Sequence, residues 1–101
     1  MEKRKQSRTE VVVNVEMHYR DIHAQGLRTR NVSLGGVLIE AGDYPLPRKG
    51  ETVTLQVVNG GAPGTGRNFR TRVARVNEDG VALLFQDFDL EDFEYLQEML
   101  D

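Results

Sequence analysis

In the stretch TEVVVNVEMHY, Val11, Val13, Val15, Met17 and Tyr19 take alternate positions, and Asn14, Glu16, His18 and Arg20 share the opposite face. A period of two built on β-branched residues predicts a half-buried strand. The segment RDIHAQG turns the chain into a second strand over about residues 24–32, and VLIEA forms a third that ends at the Gly/Pro punctuation GDYPLPRKG. TVTLQVV is a fourth strand, with Val53, Leu55 and Val57 on one face. RNFRTRVARV is a fifth, in which Phe69, Thr71 and Val73 alternate against Arg70 and Arg72. The hairpin signal NEDG leads into VALLF, the sixth.

The pattern then changes period. In DFDLEDFEYLQEML, Phe93, Leu96 and Leu100 follow i, i+3, i+7 spacing, and Leu90 and Met99 widen the stripe. Asp89 is placed to cap the first turn, where further acids favour the helix dipole. This predicts an amphipathic helix over residues 89–100 that covers an open face or end of the β structure. Six short strands with hairpin-length connections imply a sheet that closes on itself and so removes its edges. The expected fold is mainly all-β: a six-stranded antiparallel β-barrel with a C-terminal α-helix. Residues 1–8 carry no apolar periodicity and read as a flexible basic arm, and residues 9–101 as a single barrel domain.

Composition narrows the chemistry. With 101 residues the chain supports one core. It has no cysteine, which removes disulfides, thiolate nucleophiles and thiolate zinc sites. No apolar run approaches the roughly 20 residues that span a bilayer, and no signal-type segment follows MEKRKQSR, so a soluble cytoplasmic protein without membrane insertion is expected. The net charge of −3 conceals a segregation: residues 87–101 hold seven acids and no Lys or Arg, whereas residues 1–86 carry a surplus of four positive charges. That surplus suits an anionic ligand and is too small for general coating of DNA.

Few side chains offer chemistry. His18 and His23 lie near Glu16 and Asp21, but Glu16 and His18 read as ordinary members of a strand's polar face and no tight ligand spacing appears, so no metal site and no catalytic group is expected. GGAPGTGR lacks the Lys-Ser/Thr and the following helix of a phosphate loop and reads as a flexible hairpin loop. The acidic helix face reads as the solvated side of a packed helix. Two features remain. Arg4-Lys5-Gln6-Ser7-Arg8 is an R-x-x-x-R spacing; alone it reads as a solvated basic tail, yet two guanidiniums can grip separate parts of one anion, each binding phosphate or guanine bidentately or stacking on a purine. Asn31-x-Ser33-x-x-Gly36 follows the second strand; its polar groups can bond to a ligand or to their own turn, and glycine permits a close approach.

These two motifs, in this order, resemble those of the PilZ family of bacterial cyclic di-GMP receptors, and the resemblance covers nearly the whole chain. It implies that cyclic di-GMP binds on the outer surface of the barrel, with no other cofactor. By that resemblance Arg4 and Arg8 contact phosphate and guanine, Asn31 and Ser33 meet a guanine edge and nearby polar atoms, and Gly36 leaves room for the ligand. Lys5, Arg30, Gly35 and Arg72 are additional candidates, and Arg28 and Arg70 also occupy alternate strand positions. Many members carry aspartate where this chain has Asn31; the amide oxygen still accepts from a guanine N–H without charge assistance, so weaker binding is expected. The implied mechanism is a surface that changes when the nucleotide gathers the arm onto the barrel, read by a separate downstream protein.

The main rival is a PilZ-like interaction module that binds no nucleotide, of the pilus- or motility-related kind. A single-strand nucleic-acid binder should expose aromatics on a basic sheet. Tyr19, Tyr44, Phe69, Phe85 and Phe88 read instead as core or loop residues, so no nucleic-acid polymer is expected as partner.

Overall fold

A computed structural model describes residues 8–9, 12–33, 35–40, 42–58 and 66–100. Its strands are β1 (Arg8–Thr9), β2 (Asn14–Tyr19), β3 (Ile22–Ser33), β4 (Gly36–Glu40), β5 (Thr52–Val57), β6 (Arg67–Asn77) and β7 (Gly80–Gln86), followed by helix α1 (Leu90–Leu100). Every pairing is antiparallel, in the order β3-β2-β5-β6-β7-β4, and β4 pairs back with β3 to close a six-stranded barrel. The two-residue β1 lies along β3 beyond the end of β2, with Arg8 opposite Ser33 and Thr9 opposite Val32. The first expected strand is therefore interrupted, and barrel pairing reaches one residue into the expected arm.

Alternation delivers the core. Val15, Met17 and Tyr19 meet Val53, Leu55 and Val57 across β2 and β5, and Phe69 and Val73 continue the layer to Val81 and Leu83. Thr71 is fully buried at an inward position, where its hydroxyl donates to the Val53 carbonyl at 2.7 Å, so the polar group is satisfied. Three irregularities bend the barrel. The β2–β3 register shifts between Val15 and Met17, opposite Gly26 at φ 72; Arg30 is the extra residue of β3 against β4; Ala74 is the extra residue of β6 against β7. Each inserted residue raises the local twist and reverses the inward–outward phase that follows it.

The helix begins as expected and then departs from the expected stripe at Leu90 and Phe93, while the side chains of Leu96, Met99 and Leu100 fall outside those described. Asp89 caps it: the Asp92 amide donates to Asp89 Oδ1 at 2.8 Å, and the Asp89 amide donates to Asp92 Oδ2 at 3.3 Å. Leu90, however, is 71% exposed and Phe93 is also exposed. Tyr95 packs on the core instead, beside Phe69 at 5.9 Å between ring centroids. The cause is Arg67, whose Nε donates to Asp92 Oδ1 at 2.9 Å while its guanidinium lies 5.7 Å from the Tyr95 ring centroid. Asp92 and Tyr95 are three apart and share one helix face, and that clamp turns their face inward. Asp89→Ala is expected to destabilise the first turn by about 1 kcal/mol, read as faster amide hydrogen exchange of residues 90–93; unchanged exchange would show that the Arg67 clamp alone holds the turn.

Candidate functional site

The second motif sits where β3 turns into β4. Ser33 Oγ accepts from the amides of Gly35 at 3.3 Å and Gly36 at 3.2 Å and donates to the Gly36 carbonyl at 3.2 Å, so its hydroxyl is fully used in holding this turn. Gly36 is required by packing: a Cβ built on it falls 2.3 Å from the Leu83 carbonyl oxygen on β7. Nothing crowds Gly35 within 4 Å. Asn31 is half-buried, and among the described residues its side-chain amide has no hydrogen-bond partner.

These residues line a groove of about 280 Å³ on the outer wall of the barrel, together with Leu38, Leu84 and Arg75. Strand register explains the assembly. Arg75 of β6 lies opposite Ala82 of β7, which lies opposite Leu38 of β4, which lies opposite Asn31 of β3. Asn31 and Arg75, 44 positions apart in sequence, thus occupy one row across four strands. The neighbouring row runs from Arg72 through Leu84 to Gly36. Leu84 is 49% exposed and gives the groove an apolar wall.

Arg75 is the residue that the sequence pattern conceals. Strict alternation from Phe69, Thr71 and Val73 sends position 75 into the core; the extra residue Ala74 reverses the phase and turns Arg75 outward. A charged residue in the apolar phase of RVARV, followed by Val76 out of phase, is the signal of that bulge. The bulge at Arg30 likewise sets the phase in which Asn31 faces outward. Two bulges therefore frame the groove.

The arginines divide into engaged and free. Arg28 approaches Glu40 at 3.5 Å and Arg70 approaches Asp87 at 3.3 Å. Arg30, Arg72 and Arg75 are exposed and have no ion-pair partner among the described residues. Arg75 lines the groove, whereas Arg30 and Arg72 lie outside its lining. Arg4 and Lys5 fall outside the described residues. The backbone of Arg8 stands opposite Ser33, so the end of the first motif adjoins the second. Neighbouring strands lie about 5 Å apart, well within reach of an arginine side chain.

The candidate site is thus a largely apolar groove on the outer wall of a closed antiparallel barrel, with Asn31, Ser33 and Arg75 as its polar side chains. The family follows from comparison: the PilZ domain model matches residues 2–101, and the chain belongs to the PilZ domain family. PilZ domains are regulatory binding modules and not enzymes. Two solved structures share the fold. The inhibitor of motility MotI/DgrA of Bacillus subtilis superposes with a TM-score of 0.73 at 18% identity, covering 99% of this chain and 50% of that one, so the chain spans half that protein's length. The PilZ domain of CeSA from a cellulose-synthesizing bacterium gives a TM-score of 0.72 at 14% identity, covering 94% and 95%. No curated protein matches the sequence. Among the described residues no helix is long and apolar enough to cross a membrane.

Proposed function

We propose that the groove binds cyclic di-GMP and that the domain acts in the cytoplasm as a receptor whose altered surface regulates a separate protein partner. The observation that supports this reading is the β1–β3 pairing, which sets the backbone of Arg8, the last residue of the first motif, opposite Ser33 of the groove lining. Arg4 and Arg8 supply bidentate donors for phosphate and faces for guanine. Asn31, whose amide has no partner among the described residues, offers an acceptor and a donor to a guanine edge. The exposed face of Leu84 gives a purine an apolar surface, and Arg75 adds a third cation from the opposite side. Lys5, Arg30 and Arg72 would add positive charge for an anionic ligand, and nothing lies within 4 Å of a Cβ position on Gly35 in the groove lining.

Calorimetric titration with cyclic di-GMP, with GTP and cyclic di-AMP as controls, tests this reading. Heat is expected from cyclic di-GMP alone. Arg75→Ala is expected to weaken binding about 10–100-fold, the worth of a charge-assisted hydrogen bond; unchanged affinity would remove Arg75 from the site. One observation favours a second reading, an interaction module without nucleotide: the Ser33 hydroxyl is already committed to its own turn. The absence of heat with cyclic di-GMP would select it.

A further inference from the structure

One carboxylate on the outer wall departs from the pattern of its face. Along β2 the outward residues Asn14 and His18 are exposed, yet Glu16 between them is only 2% exposed. It lies in register with Gln56 of β5, itself buried, and on the other side His23 of β3 brings Nε2 to 2.6 Å from Glu16 Oε1. The His18 ring stacks on that of His23, with centroids 4.0 Å and planes 22° apart. Glu16 thus stands apart from the ordinary polar face that alternation predicts. His23 is its one hydrogen-bonding partner among the described residues, which leaves Oε2 of a buried carboxylate without a partner there. Buried carboxylate oxygens normally have a partner, so Oε2 can accept an electropositive group at this position.

We propose that Glu16, His18 and His23 form a binding site for a divalent transition-metal ion, zinc in the first instance, on the outer wall of the β2–β3 hairpin. One ligand atom from each residue already lies within 4.8 Å of the other two. Zinc binds imidazole nitrogen and carboxylate oxygen at about 2.0–2.2 Å, so tetrahedral ligand atoms stand about 3.3 Å apart. Ligand atoms within 4.8 Å of one another have at most about 1.5 Å to close, and the exposed His18 ring must turn out of its stack on His23 to bring a nitrogen to the same ion. Two imidazoles and one carboxylate suit zinc, nickel or copper, whereas calcium and magnesium favour all-oxygen sites.

The hairpin is well held for this purpose. Its turn residue Arg20, at φ 54, donates from Nε to Glu51 Oε2 at 2.6 Å, and the Tyr19 hydroxyl donates to the Pro45 carbonyl. Glu16 and His18 come from β2 and His23 from β3, so the ion links two strands and leaves a fourth coordination position for water or an outside donor. His23 precedes Asn31 by eight residues on β3, up to roughly 26 Å of extended strand. The site is separate from the groove and does not depend on nucleotide binding.

The test is calorimetric titration of tag-free, chelator-treated protein with zinc chloride, with magnesium and calcium chlorides as controls. One zinc ion per chain is expected to bind, with a rise in melting temperature, and neither control should do so. Loss of a mere outer-shell partner weakens metal sites about 10–100-fold, so His18→Ala and His23→Ala, each removing a ligand, should weaken binding by about 100-fold or more. Glu16→Gln preserves the shape of the buried side chain and should weaken zinc as well. His18 and His23 are the only histidines in the chain, which makes the double variant decisive. Zinc bound equally by wild type and a folded His18→Ala/His23→Ala variant, or no saturable binding to wild type, would overturn the proposal.

Discussion

Replacing Arg4 and Arg8 together by alanine is expected to reduce affinity for cyclic di-GMP by about two to four orders of magnitude. A charge-assisted hydrogen bond contributes about 1.5–3 kcal/mol. Two arginines therefore account for about 3–6 kcal/mol, and each 1.4 kcal/mol is about tenfold in affinity. The arm opposes this gain with the entropy of ordering its backbone. That cost is reduced at Arg8, whose backbone already pairs with Ser33 of β3. From that anchor four extended residues reach at most about 13–14 Å, enough for Arg4 to meet a different part of the same compact ligand. The core cluster of the described residues is built from Val13 onward, so the melting temperature of the ligand-free variant should stay within about 3 °C of wild type. Calorimetry and thermal unfolding on one preparation separate the two effects. Affinity retained within about threefold, less than 1 kcal/mol, would remove the arm from the site and leave Arg75 as the cation in its described lining.

The architecture was largely readable because its signals are local. Alternating valines in TEVVVNVEMHY and TVTLQVV place Val15, Val53 and Leu55 in the core, and NEDG makes the turn between β6 and β7. Asn31, Ser33, Gly35 and Gly36 were readable as a group because they lie on one turn. What escaped depends on events between strands. The bulge at Ala74 reverses the phase of everything after it, and only the partner strand shows that Arg75 consequently joins Asn31. The burial of Glu16 likewise comes from neighbours on β3 and β5. Helix rotation escaped for a related reason: an apolar stripe at Leu90 and Phe93 competes with a polar clamp between Arg67 and Asp92, and spacing alone cannot weigh a tertiary ion pair.

Gly36→Ala should then have the largest effect on the fold itself, a loss of about 2 kcal/mol, seen as a melting temperature lower by roughly 10 °C. The added Cβ falls 2.3 Å from the Leu83 carbonyl oxygen, an atom of the β7 backbone that no rotamer change can move aside. Relief requires β4 to part from β7 at Gly36 and Leu84, the row that borders the groove. The far end of the same ladder carries a matching constraint, since a Cβ on Gly80 would stand 2.1 Å from the Ile39 carbonyl oxygen. Both ends of the β4–β7 contact therefore depend on the absence of a side chain, and the strain cannot be passed along the ladder. Gly35→Ala is the control: nothing lies within 4 Å of its Cβ position, and stability should change by less than about 0.5 kcal/mol. If Gly36→Ala melts with wild type, the ladder yields and the glycine answers to the ligand alone. If it melts early without any nucleotide present, the last residue of Asn31-x-Ser33-x-x-Gly36 holds the barrel wall. The motif would then couple a structural requirement to a binding one, because the strand contact that admits only glycine also sets the edge of the groove that Asn31 faces.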